Sequence, residues 1–338
     1  MVEQDSFVMQ KIELPVFFTK EDTNTEKDKC QYQQDSQELE IYRLIDNELA
    51  TNPYDLVICF YIAHFGHHCA LLGKKYGIKT LVSVRGNDLG KAVFQSDKLS
   101  HLKLTLELSD GIVCVSSDLR DLAHDLLGES TKSIVIHNSL DTWCETPFEQ
   151  NVEDKFVVAS AGKFKFKKGV HHLLEAISLL DEPLHLKLIG DFDKSYEKEI
   201  FLKQVEFFGL KNRVEVTGFC NRGQVLKHIN QCQIYVQPSL FSEGCPNTLL
   251  EAMSLSKPII VTSAGAMGDI VKNQESGLVV RPGDIVGLSQ KIAELRANPG
   301  LGEILGRGAL KAITNYSTQN EYMAWKQFIE KLLQDVRG

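Results

Sequence analysis

The chain has 338 residues, room for two ordinary domains, and the composition of a globular protein without a low-complexity tract or internal repeat. Acidic residues outnumber basic ones by 45 to 37, and the net charge of −8 argues against a nucleic-acid partner. No apolar run is long enough to span a bilayer, and the opening "MVEQDSFVMQKIELP" has no apolar core of signal-peptide length, so a cytoplasmic protein is expected.

In chain order, "LPVFFT" reads as a first short strand, and the charged stretch 21–40 that follows it contains none. No glycine occurs before Gly66. Strands are then expected at "DLVICFY", "TLVSVRG", "GIVCVSS" and "SIVIHNS", with helices over 36–51, 66–76, 96–109 and 118–127. This alternation signals βα units on a parallel sheet. A Rossmann half opens on an apolar strand, a glycine-rich turn and a helix. The first half lacks that strand–loop–helix unit.

The polar stretch 141–155, "DTWCETPFEQNVEDK", contains Pro147, has no periodicity and reads as the linker. Six strands follow: "KFVVASAG", "LHLKLIGD", "RVEVTGF", "QIYVQPS", "PIIVTS" and "GLVVRPG". Helical stretches such as "KSYEKEIFLKQVEFFGL" and "DIVGLSQKIAELRANP" separate them, completing a Rossmann-like half. The last segment carries Tyr322, Trp325, Phe328 and Leu332 on one helical face. The expected fold is α/β, with two Rossmann-like domains over 1–145 and 154–315 and a final helix in 316–338. The eight cysteines show no C-x-x-C spacing, and several lie in strand-like apolar runs, as reduced buried thiols do.

Two stretches carry chemistry. In "SLFSEGCPNTLLEAMS", Glu243 and Glu251 stand eight positions apart around a turn that opens a helix, with Asn247 as its expected N-cap. The amides of Thr248, Leu249 and Leu250 then face the edge of the sheet where open α/β proteins bind ligands and phosphates. Gly244 admits close backbone approach. A carboxylate is a pure acceptor suited to a vicinal diol, so Glu251 fits a ribose and Glu243 a sugar hydroxyl. A helix-dipole glutamate beside a solvated loop glutamate fits the spacing equally well. In "SAGKFKFKKGVHHLLEA", Gly162 ends a strand, and Lys163 and Lys168 flank the loop before a helix, placed to neutralise a diphosphate. A solvated basic loop is the plainer reading.

These motifs, with "GFCNRGQVLKHI", "SGLVVRPGD" and the earlier "TLVSVRGNDL" and "IVIHNSLD", resemble the family 4 retaining glycosyltransferases of GT-B fold. The resemblance implies a nucleotide-sugar donor bound in a cleft between the two domains, UDP more readily than GDP, and a hexosyl-type transfer to an acceptor hydroxyl. It implies retention of configuration, no metal and no cofactor. Glu243, Lys168 and Lys163 would be catalytic. Gly162, Gly244, Cys245, Pro246, Asn247, Thr248 and Glu251 would bind the donor. Arg85 stands where the family often has a histidine, and with Asn87, Asp88 and His64 it would line the sugar or acceptor side. The acceptor is a sugar, a lipid-linked sugar or a protein, with peripheral membrane contact left open. The final helix would pack back on the first domain. The alternative is a non-catalytic or partner-dependent subunit, a homo-oligomer or a hetero-complex, whose missing first unit another chain supplies. His64, His67 and His68 in "HFGHH" have the look of metal ligands, but no carboxylate lies beside them at ligand spacing in the sequence. Cys245 is a candidate reactive thiol, and Asn138 reads as a turn former.

Overall fold

The computed structural model describes residues 27–128, 132–141, 155–181 and 183–334. The first domain runs α1 (Lys27–Thr51), β1 (Leu56–Phe60), α2 (Ile62–Tyr76), β2 (Lys79–Val84), α3 (Asn87–Gly90), α4 (Ser96–Leu108), β3 (Gly111–Cys114), α5 (Ser117–Leu127) and β4 (Ser133–Val135). Its strands form a parallel sheet in the order β1-β2-β3-β4. Successive residues on a strand face opposite sides. Val82 and Val84 therefore join Leu102, Leu106 and Leu119 under α4 and α5, and Leu81 and Val113 face the other way.

The second domain runs β5 (Phe156–Ala161), α6 (Val170–Ser178), β6 (Leu184–Ile189), α7 (Ser195–Phe207), β7 (Val214–Val216), α8 (Arg222–Gln231), β8 (Ile234–Gln237), α9 (Asn247–Ser254), β9 (Ile259–Thr262), α10 (Ala266–Ile270), β10 (Leu278–Val280), α11 (Ile285–Ala297) and α12 (Pro299–Ile313). All six strands are parallel, in the order β10-β9-β8-β5-β6-β7. The order reverses between β5 and β8. Ligands of doubly wound sheets bind at such a switch point, beyond the carboxyl ends of the strands. The loops that follow β5 and β8 are the two that carry the lysines and Glu243. Both faces of this sheet are covered, so β5, β8 and β9 are almost wholly buried, as parallel strands require.

A last helix, α13 (Thr318–Gln334), leaves the second domain and returns to the first. Trp325, Phe328, Ile329 and Leu332 pack on Leu81, Val113 and Ile136, closing the face that α4 and α5 leave open. Tyr322, expected on the same stripe, is 45% exposed.

Several local expectations shift. The helix expected over 36–51 begins at Lys27, inside the charged stretch, and the one expected from Gly66 begins at Ile62. The strand "SIVIHNS" shortens to Ser133–Val135. Asn247 is the first helical residue of α9 rather than its N-cap, a place taken by Pro246. The Leu249 and Leu250 amides donate to the Pro246 carbonyl, so they are not free for a ligand. A proline cap has no side-chain acceptor, and the turn closes on its own carbonyl instead. The strand expected at "LPVFFT" and most of the linker lie outside the described residues. No helix among the described residues is long and apolar enough to cross a membrane.

Candidate active site

Glu243 lies in the loop after β8 and is 6% exposed. Its Oε2 accepts from Lys168 Nζ, and Lys167 Nζ stands 3.9 Å from its Oε1. That Oε1 is buried and accepts no hydrogen bond among the described residues. A buried, unsatisfied carboxylate oxygen is costly, and a donor group on a ligand would satisfy it. The loop is fixed from below by Gly265, whose φ of +62° suits glycine. A Cβ there would stand 2.1 Å from the Glu243 carbonyl oxygen.

Both lysines come from the turn 166–168 that ends the loop after β5. Burial pulls the Lys167 amine down, and neighbouring Lys168 adds to this while Glu243 opposes it. Lys163, at the other end of the loop, pairs instead with Asp193 and keeps a side chain 69% exposed. The structure thus groups Lys168 with Glu243, leaves Lys163 outside that group, and adds Lys167. The run "KFKFKK" held the signal for Lys167, but a four-lysine run does not say which members turn inward.

Glu251, one turn into α9, is 6% exposed. Burial raises its carboxyl, against the pull of Arg222, whose Nε donates to Oε1 at 3.1 Å. Arg222 opens α8, set by a capping box between Asn221 and Gln224. No short-range pattern links it to Glu251, which is why the sequence did not disclose it. Thr248 is occupied within the domain, accepting from the Tyr235 hydroxyl at 3.0 Å and donating to the Ala161 carbonyl at 3.4 Å. A Cβ added at Gly162 would stand 3.9 Å from Lys168 Nζ.

The first domain meets this loop edge to edge. Arg85 Nη2 donates to Asn138 Oδ1 at 2.5 Å, and Asn138 Nδ2 donates to the Cys245 carbonyl at 2.8 Å. Arg85 therefore reaches the loop after β8 through Asn138, which the sequence suggested only as a turn former. Asp269 of α10 accepts from the Ser117 amide at 2.8 Å and lies 3.1 Å from His137 Nε2, a second clasp between the domains. Asp88, Asn87 and His64 are expected to line the sugar or acceptor side. The Asp88 carboxylate is 7% exposed and is held by the amides of Arg85 and Gly86, so it shapes the turn. Asn87 opens α3. His64 sits in the first turn of α2, where burial lowers its pKa and the charges acting on it are Lys98, Glu38 and Asp88, all of the first domain. Burial pushes the Cys245 thiol up to about 12, which disfavours the thiolate. The six cysteines whose side chains are described are free, and five of them are buried. His67 and His68 do have a carboxylate near them, Glu38 of α1, brought in by tertiary packing that spacing could not show.

Two Rossmann-like domains, each built on a parallel sheet, define a protein of the GT-B fold. The sequence matches the family described as Glycosyl transferases group 1 over residues 144–312 and Glycosyltransferase Family 4 over 30–143. The chain belongs to the group 1 glycosyl transferases and is a glycosyltransferase that uses a nucleotide sugar. It is 29% identical to an uncharacterized glycosyltransferase of Methanocaldococcus jannaschii, over 86% of this chain and 79% of that protein. It is 25% identical to the capsular polysaccharide biosynthesis glycosyltransferase CapM of Staphylococcus aureus, over 57% of this chain and 51% of CapM. The crystal structure of Anabaena HepE in complex with UDP-glucose superposes with a TM-score of 0.71 at 18% identity, covering 88% of this chain and 81% of HepE. That likeness is one of fold.

Proposed function

We propose that the protein transfers a sugar from a UDP-sugar to an acceptor hydroxyl in polysaccharide or glycoconjugate synthesis, with retention and without a metal in the transfer step. The observation that carries this is the buried, unsatisfied Oε1 of Glu243 beside Lys167 and Lys168. Glu243 accepts a hydroxyl of the donor sugar. Lys168, with Lys167, holds the diphosphate and stabilises the charge that grows on it as the sugar leaves. Glu251 accepts the ribose hydroxyls, and backbone of 244–247 lies along the sugar and phosphates. Lys163 reaches the diphosphate only by leaving Asp193.

The bond from the anomeric carbon to the leaving phosphate oxygen breaks as the acceptor oxygen bonds to that carbon on the same face. The acceptor proton passes to the departing phosphate oxygen, so no protein nucleophile is required. The names of HepE, crystallised with UDP-glucose, and of CapM support the choice of uridine and of a polysaccharide product. Arg85 stands on the sugar and acceptor side.

Calorimetric titration with UDP, GDP and ADP sugars tests the donor, and NMR of the glycosidic product tests its configuration. Tight binding of a UDP-sugar, lost in Glu251→Ala, and a product with the donor's anomeric configuration are expected. An inverted product overturns the same-face step. Turnover that needs a divalent cation after chelation overturns the metal-free step.

A further inference from the structure

Away from the transfer site, α1 and α2 bring together Glu38, His67 and His68. One ligand atom from each lies within 4.8 Å of the others. His67 and His68 are 6% and 8% exposed. His67 Nδ1 and His68 Nε2 are buried and make no hydrogen bond. Two buried ring nitrogens without partners in one cluster are an unpaid desolvation cost that ordinary core histidines avoid by hydrogen bonding.

We propose that Glu38, His67 and His68 form a zinc site that fastens α1 to α2. Two imidazoles and a carboxylate are a donor set suited to zinc, which takes nitrogen and oxygen at about 2.0–2.2 Å. Donors around such an ion stand about 3.4 Å apart, so small side-chain rotations close the site. Glu38 is exposed, which leaves solvent access for a water as fourth ligand. The His101 ring stacks on His67 at 4.1 Å and 11°, fixing the plane of that imidazole.

The site has a structural use. The later half of α1 is anchored by Ile41, Ile45 and Leu49 in the core, and by Asp46 with Lys75 and Tyr76. Zinc held by Glu38 would add a further tie one turn before Ile41.

The test uses the full chain, stripped by a chelator and titrated with zinc or cobalt. One equivalent of zinc should bind and raise the melting temperature. Glu38→Gln and His68→Gln should each weaken zinc binding by more than roughly a hundredfold, beyond the roughly 10–100-fold that loss of an outer-shell partner costs. Glu38 is exposed, so its variant tests the site even if His68→Gln unfolds. Nucleotide binding should be unchanged in Glu38→Gln, which separates failure of this site from failure of the donor site. Absence of stoichiometric binding overturns the proposal and leaves a stacked histidine cluster. So does binding unaffected by Glu38→Gln. A thiolate charge-transfer band in the cobalt spectrum, lost in Cys59→Ala, would also overturn it by moving the metal to the cysteines.

Discussion

Gly86 and Gly244 face each other across the crevice: a Cβ on Gly86 would stand 3.4 Å from the Gly244 amide nitrogen, and one on Gly244 would stand 2.4 Å from the Arg85 carbonyl oxygen. The two domains touch by backbone at this point, beside Glu243. Gly244→Ala presses a methyl against backbone that cannot swing aside, so the crevice must open. A displacement of about one ångström at a reacting centre costs on the order of a hundredfold in rate. Steady-state kinetics should show that loss, and small-angle scattering a larger radius of gyration. Wild-type values in both would mean that the closed contact is not the working geometry.

Lys168 and Lys163 separate cleanly by mutation. Lys168→Ala removes the partner of a buried carboxylate and the charge beside the diphosphate, and kcat/KM should fall by about 10²–10³-fold. Lys163→Ala disturbs only an exposed pair with Asp193 and should cost no more than a few-fold. The reverse ranking would place the diphosphate at the other end of the loop.

Nucleotide binding should depend on Glu251 ionisation. Burial raises its carboxyl above the ordinary 4.5, and Arg222 only partly opposes this. For the free protein, the sign is that of a group favouring its protonated form. Its stabilising share is complete below the unfolded value and is lost as pH rises through the raised one. Binding that needs the anion runs the other way. UDP affinity should fall as pH drops through a value above 4.5. Calorimetry across that range should find the fall in the wild type and a flat, weak response in Glu251→Gln. A matching fall in both would assign it to another group.

The contact of α13 with the first sheet is open to a stability measurement. Leu332 is 9% exposed against Leu81, Val113 and Ile136. Leu332→Ala should cost about 2–5 kcal/mol in urea unfolding, the range for buried leucine truncation. A cost below about 0.5 kcal/mol would mean that the helix merely rests on the sheet.

The alternation of β-branched runs and amphipathic stretches made both domains legible, because each buried parallel strand writes a short apolar run. Glu243, Glu251 and Lys168 were legible because they flank turns at strand ends. Arg222, Lys167 and Asn138 were not singled out for the site. Arg222 meets Glu251 from a different helix, Lys167 turns inward from a run of like residues, and Asn138 arrives from the other domain. The zinc candidate failed in the same way, since Glu38 and His67 are neighbours only after α1 folds onto α2. Asn247 misled for a local reason: a favourable cap residue followed a proline that took the position.

The path of α13 sets an order of assembly. The end of the first domain and the start of the returning segment run side by side, where Leu140 bridges Ser317 in parallel and its amide donates to the Tyr316 carbonyl at 2.9 Å. During synthesis the sheet β1–β4 emerges early, but the helix that covers one of its faces is translated only after the whole second domain. Domains generally fold as units as they leave the ribosome. The later-encoded domain can therefore finish first, while the earlier one waits with Leu81, Val113 and Ile136 bare. That nascent face is where a chaperone would bind, and where a ribosome stalled before residue 318 would leave an aggregation-prone chain.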